Sequence, residues 1–423
     1  MKSIQVKLKP NSRNLKADKR WYYIALFLLD SLDNKEYLQH WIDLNYDSTT
    51  DNKGYKKHLE FLENQIINGE YSLGKKPEDL VDVLTDIAIA SPAVCINRTY
   101  NHYSTKPNTE IDYPGKFAQM FIERMNTVEA IAAINMANKQ DFGAWRNLLN
   151  YCRDGNLQAV LDEYAHQLSF GLDRDGDVVE QMYSCMQQAF EIKTTTYSID
   201  TFESFKNKMQ NRKNEAKDTR VNIRSHFAVA FTQGDSEKSD AARKQKIRNS
   251  FNSPFRPFVL ASTSIGQEGL DFHNYCRRIV HWNLPSNPID LEQREGRINR
   301  FKCLAIRQNI AKCYGNVHFN NDIWNEMFAE ASEEIEHSSD LIPFWGLPDT
   351  KDMVKIERIV PMYPFSRDED AYERLIKILS SYRLTLGQAR QEELLEYIFK
   401  NCKDPDDLKQ LFINLSPFYK KQK

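Results

Sequence analysis

The sequence lacks a C-x-x-C pair, an apolar run of membrane-spanning length and an excess of charge of either sign, and each absence removes a class of protein. Its seven cysteines (Cys95, Cys152, Cys185, Cys276, Cys303, Cys313 and Cys402) are odd in number and widely scattered. This argues against a disulfide framework and against a zinc site, and favours a reducing cytoplasmic location. The N-terminus MKSIQVKLKP has no signal-peptide apolar region. The longest apolar run, Trp21 to Leu29, falls far short of the roughly 20 residues that a membrane span needs. A cytoplasmic location and no membrane partner are therefore expected. With a formal net charge of −2, 27% charged and 41% hydrophobic residues, the composition is that of an ordinary globular chain and carries no signature of nucleic-acid binding in bulk.

A phosphate loop and an acidic magnesium strand are also missing. Gly69-Glu70-Tyr71-Ser72-Leu73-Gly74-Lys75-Lys76 matches the glycine and lysine spacing of such a loop. Its chemistry fails: Lys76 stands where a magnesium-holding hydroxyl belongs, Pro77 follows, and Phe61 to Ile67 before it has helical rather than strand character. Leu161-Asp162-Glu163-Tyr164 resembles a magnesium motif only as a tetrapeptide. It sits inside a stripe of Leu157, Val160, Leu161, Tyr164 and Leu168 at helical spacing, so a solvated acidic helix face is the expectation there.

What the chain does contain is a change of period. Up to about Ile192 the pattern is helical, with Trp21 to Leu29 as a buried face, Tyr55 to Ile67 amphipathic, and Pro77-Glu78-Asp79 opening a helix through Ala90. Thr194 to Ile199, His226 to Phe231, Pro257 to Ala261 and Arg278 to Trp282 then read as strands, with a polar loop or linker from Asn207 to Asp218. Strands alternating with helices indicate a parallel, doubly wound sheet, which binds ligands at the carboxyl ends of its strands. Helices return at Ala305 to Cys313, Asn321 to His337, Asp368 to Leu386 and Gln391 to Lys400. The proline-bearing, aromatic stretch Leu341 to Pro364 is expected as an extended strap across the surface of the sheet domain. The expected domains are thus a helical region at 1–192, an α/β lobe at 193–340, and a strap with a helical extension at 341–423.

Charge and small residues gather at two loops in the middle of this plan. Arg243 to Lys302 holds eleven Lys and Arg against five Asp and Glu, which fits a polyanion site, although a solvated surface explains it as well. In the first loop, Ser262 to Asp271, Gly266 and Gly269 let the backbone approach a ligand, while Ser262, Thr263 and Ser264 offer hydroxyls and N–H groups to a phosphate. Glu268 and Asp271 suit orientation or coupling, because like charges repel. In the second, Asn287-Pro288-Ile289-Asp290 reads as a helix start. Continued as a helix, it would place Gln293, Arg297 and Arg300 on one face beside Gly296, with the arginine forks matched to phosphate oxygens and Arg294 pointing elsewhere. The plain alternative pairs Arg297 and Arg300 with Glu292 and Glu295 on the same helix. His281 reads as a strand cap, His273 as a satisfied loop histidine, and Tyr22, Tyr23, Phe27, Phe344 and Trp345 as packing residues.

The phrases IGQEGLDF and NLPSNPIDLEQREGRINR resemble motifs V and VI of superfamily-two helicases, and within them the bacterial relatives of the Swi/Snf-type translocases, including the RapA-like group. Phe251-Asn252-Ser253-Pro254-Phe255 and the strap from Leu341 look similar to helicase-like proteins of bacterial defence islands. The resemblance implies an α/β fold: a RecA-like parallel sheet flanked by helices, the carboxyl-terminal lobe of a helicase, between an all-helical N-terminal region and a helical tail. It implies that Gln293 and the arginine fingers Arg297 and Arg300 face ATP and Mg²⁺ held by a first lobe, that Thr263 and its neighbours touch a nucleic-acid strand, and that Gly269, Glu268 and Asp271 link the two sites. The implied partners are DNA, with RNA not excluded, and a protein or upstream segment carrying the first lobe. A non-catalytic nucleic-acid-binding or scaffolding subunit that kept the lobe and lost the motor is the alternative. A nuclease or other hydrolase lacks a metal cluster or nucleophile triad to support it.

Overall fold

The computed structural model describes residues 17–25, 53–64, 74–104, 112–137, 143–190, 195–199, 221–225, 245–255, 257–262, 271–320, 322–335, 340–348, 352–381 and 391–402, with single positions at 36, 39, 40, 42, 43, 202, 206 and 209. The helices named below are α1 (Lys53–Leu62), α2 (Leu80–Ala90), α3 (Pro92–Tyr103), α4 (Tyr113–Met125), α5 (Val128–Ala137), α6 (Ala144–Arg153), α7 (Asn156–Ser169), α8 (Val178–Phe190), α9 (Pro288–Glu295), α10 (Leu304–Tyr314), α11 (Ile323–Glu334), α12 (Asp368–Ser381) and α13 (Gln391–Asn401). The strands are β1 (Thr195–Ile199), β2 (Val221–Ser225), β3 (Arg278–Val280) and β4 (Glu357–Ile359). Two compact units result, one formed by Met1–Arg98 with Phe121–Ala159, the other by Thr99–Met120 with Val160–Lys423.

The first unit is built on apolar residues at helical spacing. Leu80, Val83 and Leu84 of α2 bury against Trp21, Tyr22, Ile24, Ala25, Leu59 and Leu149, with Ile87 one turn on packed against them. The expected first turn at Pro77 starts three residues later, at Leu80. Asp79 holds the N-cap position without capping, because its carboxylate is occupied by the Tyr22 hydroxyl at 2.6 Å and by Arg146 at 2.5 Å. Gly74 and Lys75, the described end of the glycine-lysine match, are tied to the N-terminal segment. Gly74 donates its N–H to Asp18 at 2.9 Å and accepts from the Trp21 indole at 2.9 Å, and Lys75 forms a parallel bridge with Ala17. That arrangement does not open a helix onto a phosphate; Gly69 to Leu73 lie outside the described residues. Leu80–Tyr103 is long and apolar enough to cross a membrane by length and composition. It is broken at Ser91, whose backbone is extended (ψ 154°), and several of its residues belong to the cores.

The second unit is mostly helical. An aromatic ladder runs from Tyr100 through Phe117 and Phe190 to Phe255, Tyr164 and Tyr275, with ring centroids 4.5–6.4 Å apart. These distances lie in the range in which edge-to-face packing adds to burial. A second core joins α10 and α11 through Ala305, Ile306, Ile310, Trp324, Met327, Phe328 and Ala331. The acidic pair of α7 departs from expectation, since neither member belongs to a solvated face. Asp162 accepts from the Thr99 hydroxyl at 2.8 Å, and Glu163 pairs with the fully buried Arg307 at 2.8 Å.

The sheet is smaller than the sequence suggests. Among the described residues β1 and β2 pair antiparallel, Thr195 opposite Ser225, and only β3 and β4 are parallel, Arg278 opposite Glu357. Antiparallel pairing needs only a reversal of the chain, whereas parallel pairing needs a crossover. The expected strand at His226 to Phe231 lies outside the described residues, and β2 ends just before it. Pro257 to Ala261, expected as a strand, has a bend at Phe258 and joins no ladder among the described residues. Proline there has no N–H to give, and Phe258 and Val259 are exposed. The strap is corrected most. Instead of crossing the surface it turns at 340–345, packs Phe344, Leu347, Val354 and Ile356 into the second core, and supplies β4 as the parallel partner of β3. Asn309 of α10 guides it, donating to the Val354 carbonyl at 2.9 Å and accepting from the Val354 N–H at 2.7 Å, as a neighbouring strand would.

Candidate functional site

The second loop begins as its sequence predicts. Asn287 caps α9 with extended backbone, its side-chain oxygen accepting from Ile289 N–H at 2.9 Å, and Pro288 fills the first turn, where its missing N–H costs nothing. Pro288 and Leu291 are buried and seat the helix, while Gln293 is exposed.

The helix then stops where a continuous one was expected. It ends at Glu295, Gly296 follows at φ −59° and ψ −15°, and the chain passes through a tight turn with Arg297 N–H on Arg294 O, and Ile298 and Asn299 N–H both on Glu295 O. Gln293, Arg297 and Arg300 therefore do not share a helical face: one is on α9, one in the turn, one beyond it. Ile298, 3% exposed, draws the turn inward, and the Glu295 side chain fixes its start. That carboxylate is gripped by both nitrogens of the Arg358 fork, with Nη2 to Oε2 at 2.6 Å, and approached by the buried His281 ring at 3.3 Å. Burial alone would raise its pKa, but hydrogen bonds from His281 and Arg358 prevail and hold it at about 2. Gly296 needs no special backbone angle; a Cβ there would stand 3.3 Å from Glu292 O, so its size is what the turn uses.

The turn is sewn to the end of the first loop. Arg300 Nη2 lies 3.2 Å from Asp271 Oδ1. Phe272 N–H donates to Arg297 O at 2.9 Å, and Leu304 N–H to His273 O at 3.0 Å. On the other side Asn252, from the Phe251 to Phe255 phrase, donates to Asp271 O at 2.6 Å and accepts from Asn274 N–H at 3.4 Å. Arg300 thus takes its carboxylate from the other loop, while Glu295 is taken by Arg358 and His281. Arg294 donates from Nη1 to Asn283 O at 3.0 Å. The Nε atoms of Arg297 and Arg300 are buried without a hydrogen-bond partner, as is His273 Nδ1, so His273 is not the satisfied loop histidine expected. Burial, outweighing nearby Asp271, lowers its pKa to about 4. Ser262 is exposed; Thr263, Ser264, Gly266, Glu268 and Gly269 lie outside the described residues.

Both loops fall within one domain match. Residues 188–302 match the helicase conserved C-terminal domain. The match covers about a quarter of the chain and ends at Lys302. Nothing among curated proteins or solved structures matches. The helicase C-terminal domain therefore accounts for the two loops and their connection. Arg358 and Arg307, which hold that connection together, lie beyond the match. Arg307 stands next to Ile306 in LAIRQNIAKC, and Arg358 lies in the mixed charged and apolar stretch KIERIV. A cation on the buried face of a helix needs a carboxylate, and that was the available signal for Arg307; Arg358, on a partly exposed strand beside Glu357, carried none.

Proposed function

We propose that the chain is the carboxyl-terminal half of an ATP-dependent superfamily-two helicase or DNA translocase of the Swi/Snf type, whose first RecA-like lobe comes from another chain or from sequence outside this one. The carrying observation is the join between the two loops of the helicase C-terminal domain: Asp271 on Arg300, and Phe272 N–H on Arg297 O. That join makes movement of one loop movement of the other, which is what coupling between nucleotide and nucleic acid requires. The partly exposed guanidinium groups of Arg297 and Arg300 suit anionic phosphate oxygens, so ATP fits this side of a shared site. Mg²⁺ would accompany ATP, with its carboxylate ligand on the first lobe.

When bound, ATP supplies the phosphoryl group whose transfer to water drives the cycle. Arg297 and Arg300 stabilise the negative charge that develops on that group. Gln293, exposed on α9, orients the water or the terminal phosphate. Ser262 and its neighbours hold the sugar-phosphate backbone of one strand without reading sequence. The test is reconstitution with a first lobe: Arg297→Ala and Arg300→Ala should each lower DNA-stimulated ATP turnover by about a hundredfold or more, and unchanged turnover in both sinks the reading. A non-catalytic nucleic-acid-binding subunit is the second reading, favoured by the Arg300–Asp271 pair, which already gives that guanidinium a carboxylate partner. Salt-dependent DNA binding that ATP leaves untouched beside the first lobe would decide for it.

A further inference from the structure

We infer that Arg358 is a positioning residue for the arginine turn, acting through Glu295; this rests on the reading of Arg297 and Arg300 given above. Glu295 is the point from which the turn hangs. Its carbonyl accepts the N–H groups of Ile298 and Asn299, both at 3.1 Å, so the backbone between Gly296 and Asn299 closes on this one residue. Its carboxylate is held by three donors from two other elements: the Arg358 Nε and Nη2 of β4, and the His281 ring just past β3. A bidentate fork fixes both the position and the plane of the carboxylate, which a single ammonium cannot do. With its carboxylate held, Glu295 is anchored at both ends, by the clamp on its side chain and by the two N–H groups on its carbonyl, and the chain leaves toward Arg297 from that anchored residue.

Arg358 is itself well placed to transmit this constraint. The parallel register sets Arg358 beside Ile279, and His281 N–H donates to Ile359 O at 2.9 Å, so the two side chains that meet on Glu295 come from adjacent strands of one ladder. The remaining Arg358 nitrogen, Nη1, approaches the Tyr372 hydroxyl of α12 at 3.4 Å. The arginine turn is thereby governed by chain that lies more than fifty residues beyond the family match, in the strap and the helix after it. Both carboxylate and guanidinium are about three-quarters buried, which lifts the pair above the negligible worth of a surface ion pair.

The experiment uses the full chain and compares wild type with Arg358→Ala, Arg358→Lys and Glu295→Gln. Hydrogen exchange at the amides of residues 297–300 is expected to quicken about tenfold in Arg358→Ala, to quicken in Glu295→Gln, and to stay at the wild-type rate in α8 and α11. Arg358→Lys keeps the charge and most of the packing, serves as the folded comparison should alanine fail to fold, and is expected to leave the turn partly loosened. Guanidinium ion at low millimolar concentration, well below denaturing levels, is expected to slow exchange in Arg358→Ala toward wild type. Wild-type exchange in all three variants overturns the inference, as does loosening spread evenly over the chain. With a first lobe added, Arg358→Ala should lower ATP turnover while KM for ATP stays within about twofold. If Arg297→Ala lowers turnover and Arg358→Ala does not, the positioning role is overturned and the proposed function stands. If exchange quickens but neither arginine matters to turnover, the clamp is upheld as the holder of the turn and the proposed function fails.

Discussion

Lys302, two residues past Arg300, is almost wholly buried and adopts a left-handed backbone (φ 49°) that a side-chain-bearing residue rarely takes. Its N–H donates to Phe344 O at 2.8 Å and its carbonyl accepts from Arg307 at 2.7 Å. Its ammonium sits 4.1 Å from the ring centroid of Phe328 and 4.5 Å from that of Phe170, with Phe344 and Phe301 farther out. At 3.5 Å it meets His166 Nε2, whose Nδ1 faces Asp322 at 3.0 Å. Burial lowers the His166 pKa, so the ring is neutral: Nδ1–H donates to Asp322 and Nε2 accepts from the ammonium. Burial likewise lowers Lys302 from 10.5 to about 8; Asp322 opposes this and Arg307 adds to it. Between those values the unfolded chain holds a proton that the folded one has released, so stability rises with pH across that window and is lost again as pH falls to about 8. Wild type should gain on the order of 2 kcal/mol relative to Lys302→Met between pH 8 and pH 10 in urea denaturation. Equal slopes for the two would show that the ammonium is not desolvated. Little of this was legible in Arg300-Phe301-Lys302-Cys303, because only the Phe301 ring is local: the histidine comes from α7, and the other rings come from Phe170 just past α7, from α11 and from the strap.

At the scale of elements, what is local was legible and what is remote was not. Asn287-Pro288-Ile289-Asp290 announces the start of α9 because a cap and a first-turn proline act on the next two residues. α10, α11, α12 and α13 begin within two residues of where periodicity puts them. The end of α9 could not be read, because the fork that holds Glu295 lies 63 residues along the chain. β4 could not be read either: three residues with a central arginine make a strand only against β3. The same applies to Asp271 and Arg300, whose chemistry pointed to coupling while their geometry depended on Asn252 and Phe272. The local part can be tested at the cap. Asn287→Ala should cost the second unit about 1 kcal/mol, and Asn287→Asp or Asn287→Ser should restore most of it. Thermal or urea unfolding measures this, and alanine matching wild type would mean that Pro288 and Leu291 seat the helix unaided.

At the scale of the whole second unit, Arg307, which is fully buried, reaches Glu163 of α7, 144 residues earlier. Its guanidinium serves three masters at once: the Glu163 carboxylate at 2.8 Å, the Lys302 carbonyl, and the Asn274 carbonyl, with the Tyr275 ring 5.5 Å from its centre. Asn274 ends the segment leaving the first loop and Lys302 ends the arginine stretch, so one side chain ties both loops to the helical part of the unit. A charge in this position is costly to bury, and its partner and acceptors recover that cost only while all are present. Arg307→Met leaves Glu163 without its partner and two carbonyls without a donor, and should destabilise by about 3–5 kcal/mol. Arg307→Lys should not restore it, since an ammonium cannot reach three acceptors that lie in different directions in the plane of a fork. Removing both charges, in Arg307→Met with Glu163→Leu, should cost less than Arg307→Met alone, because the orphaned carboxylate is gone. A double-mutant cycle by urea denaturation reads this as a coupling of about 1–3 kcal/mol. A coupling near zero would mean that the loops hold their places through the backbone bonds between 272 and 297 and between 273 and 304, and that Arg307 only fills the space between them.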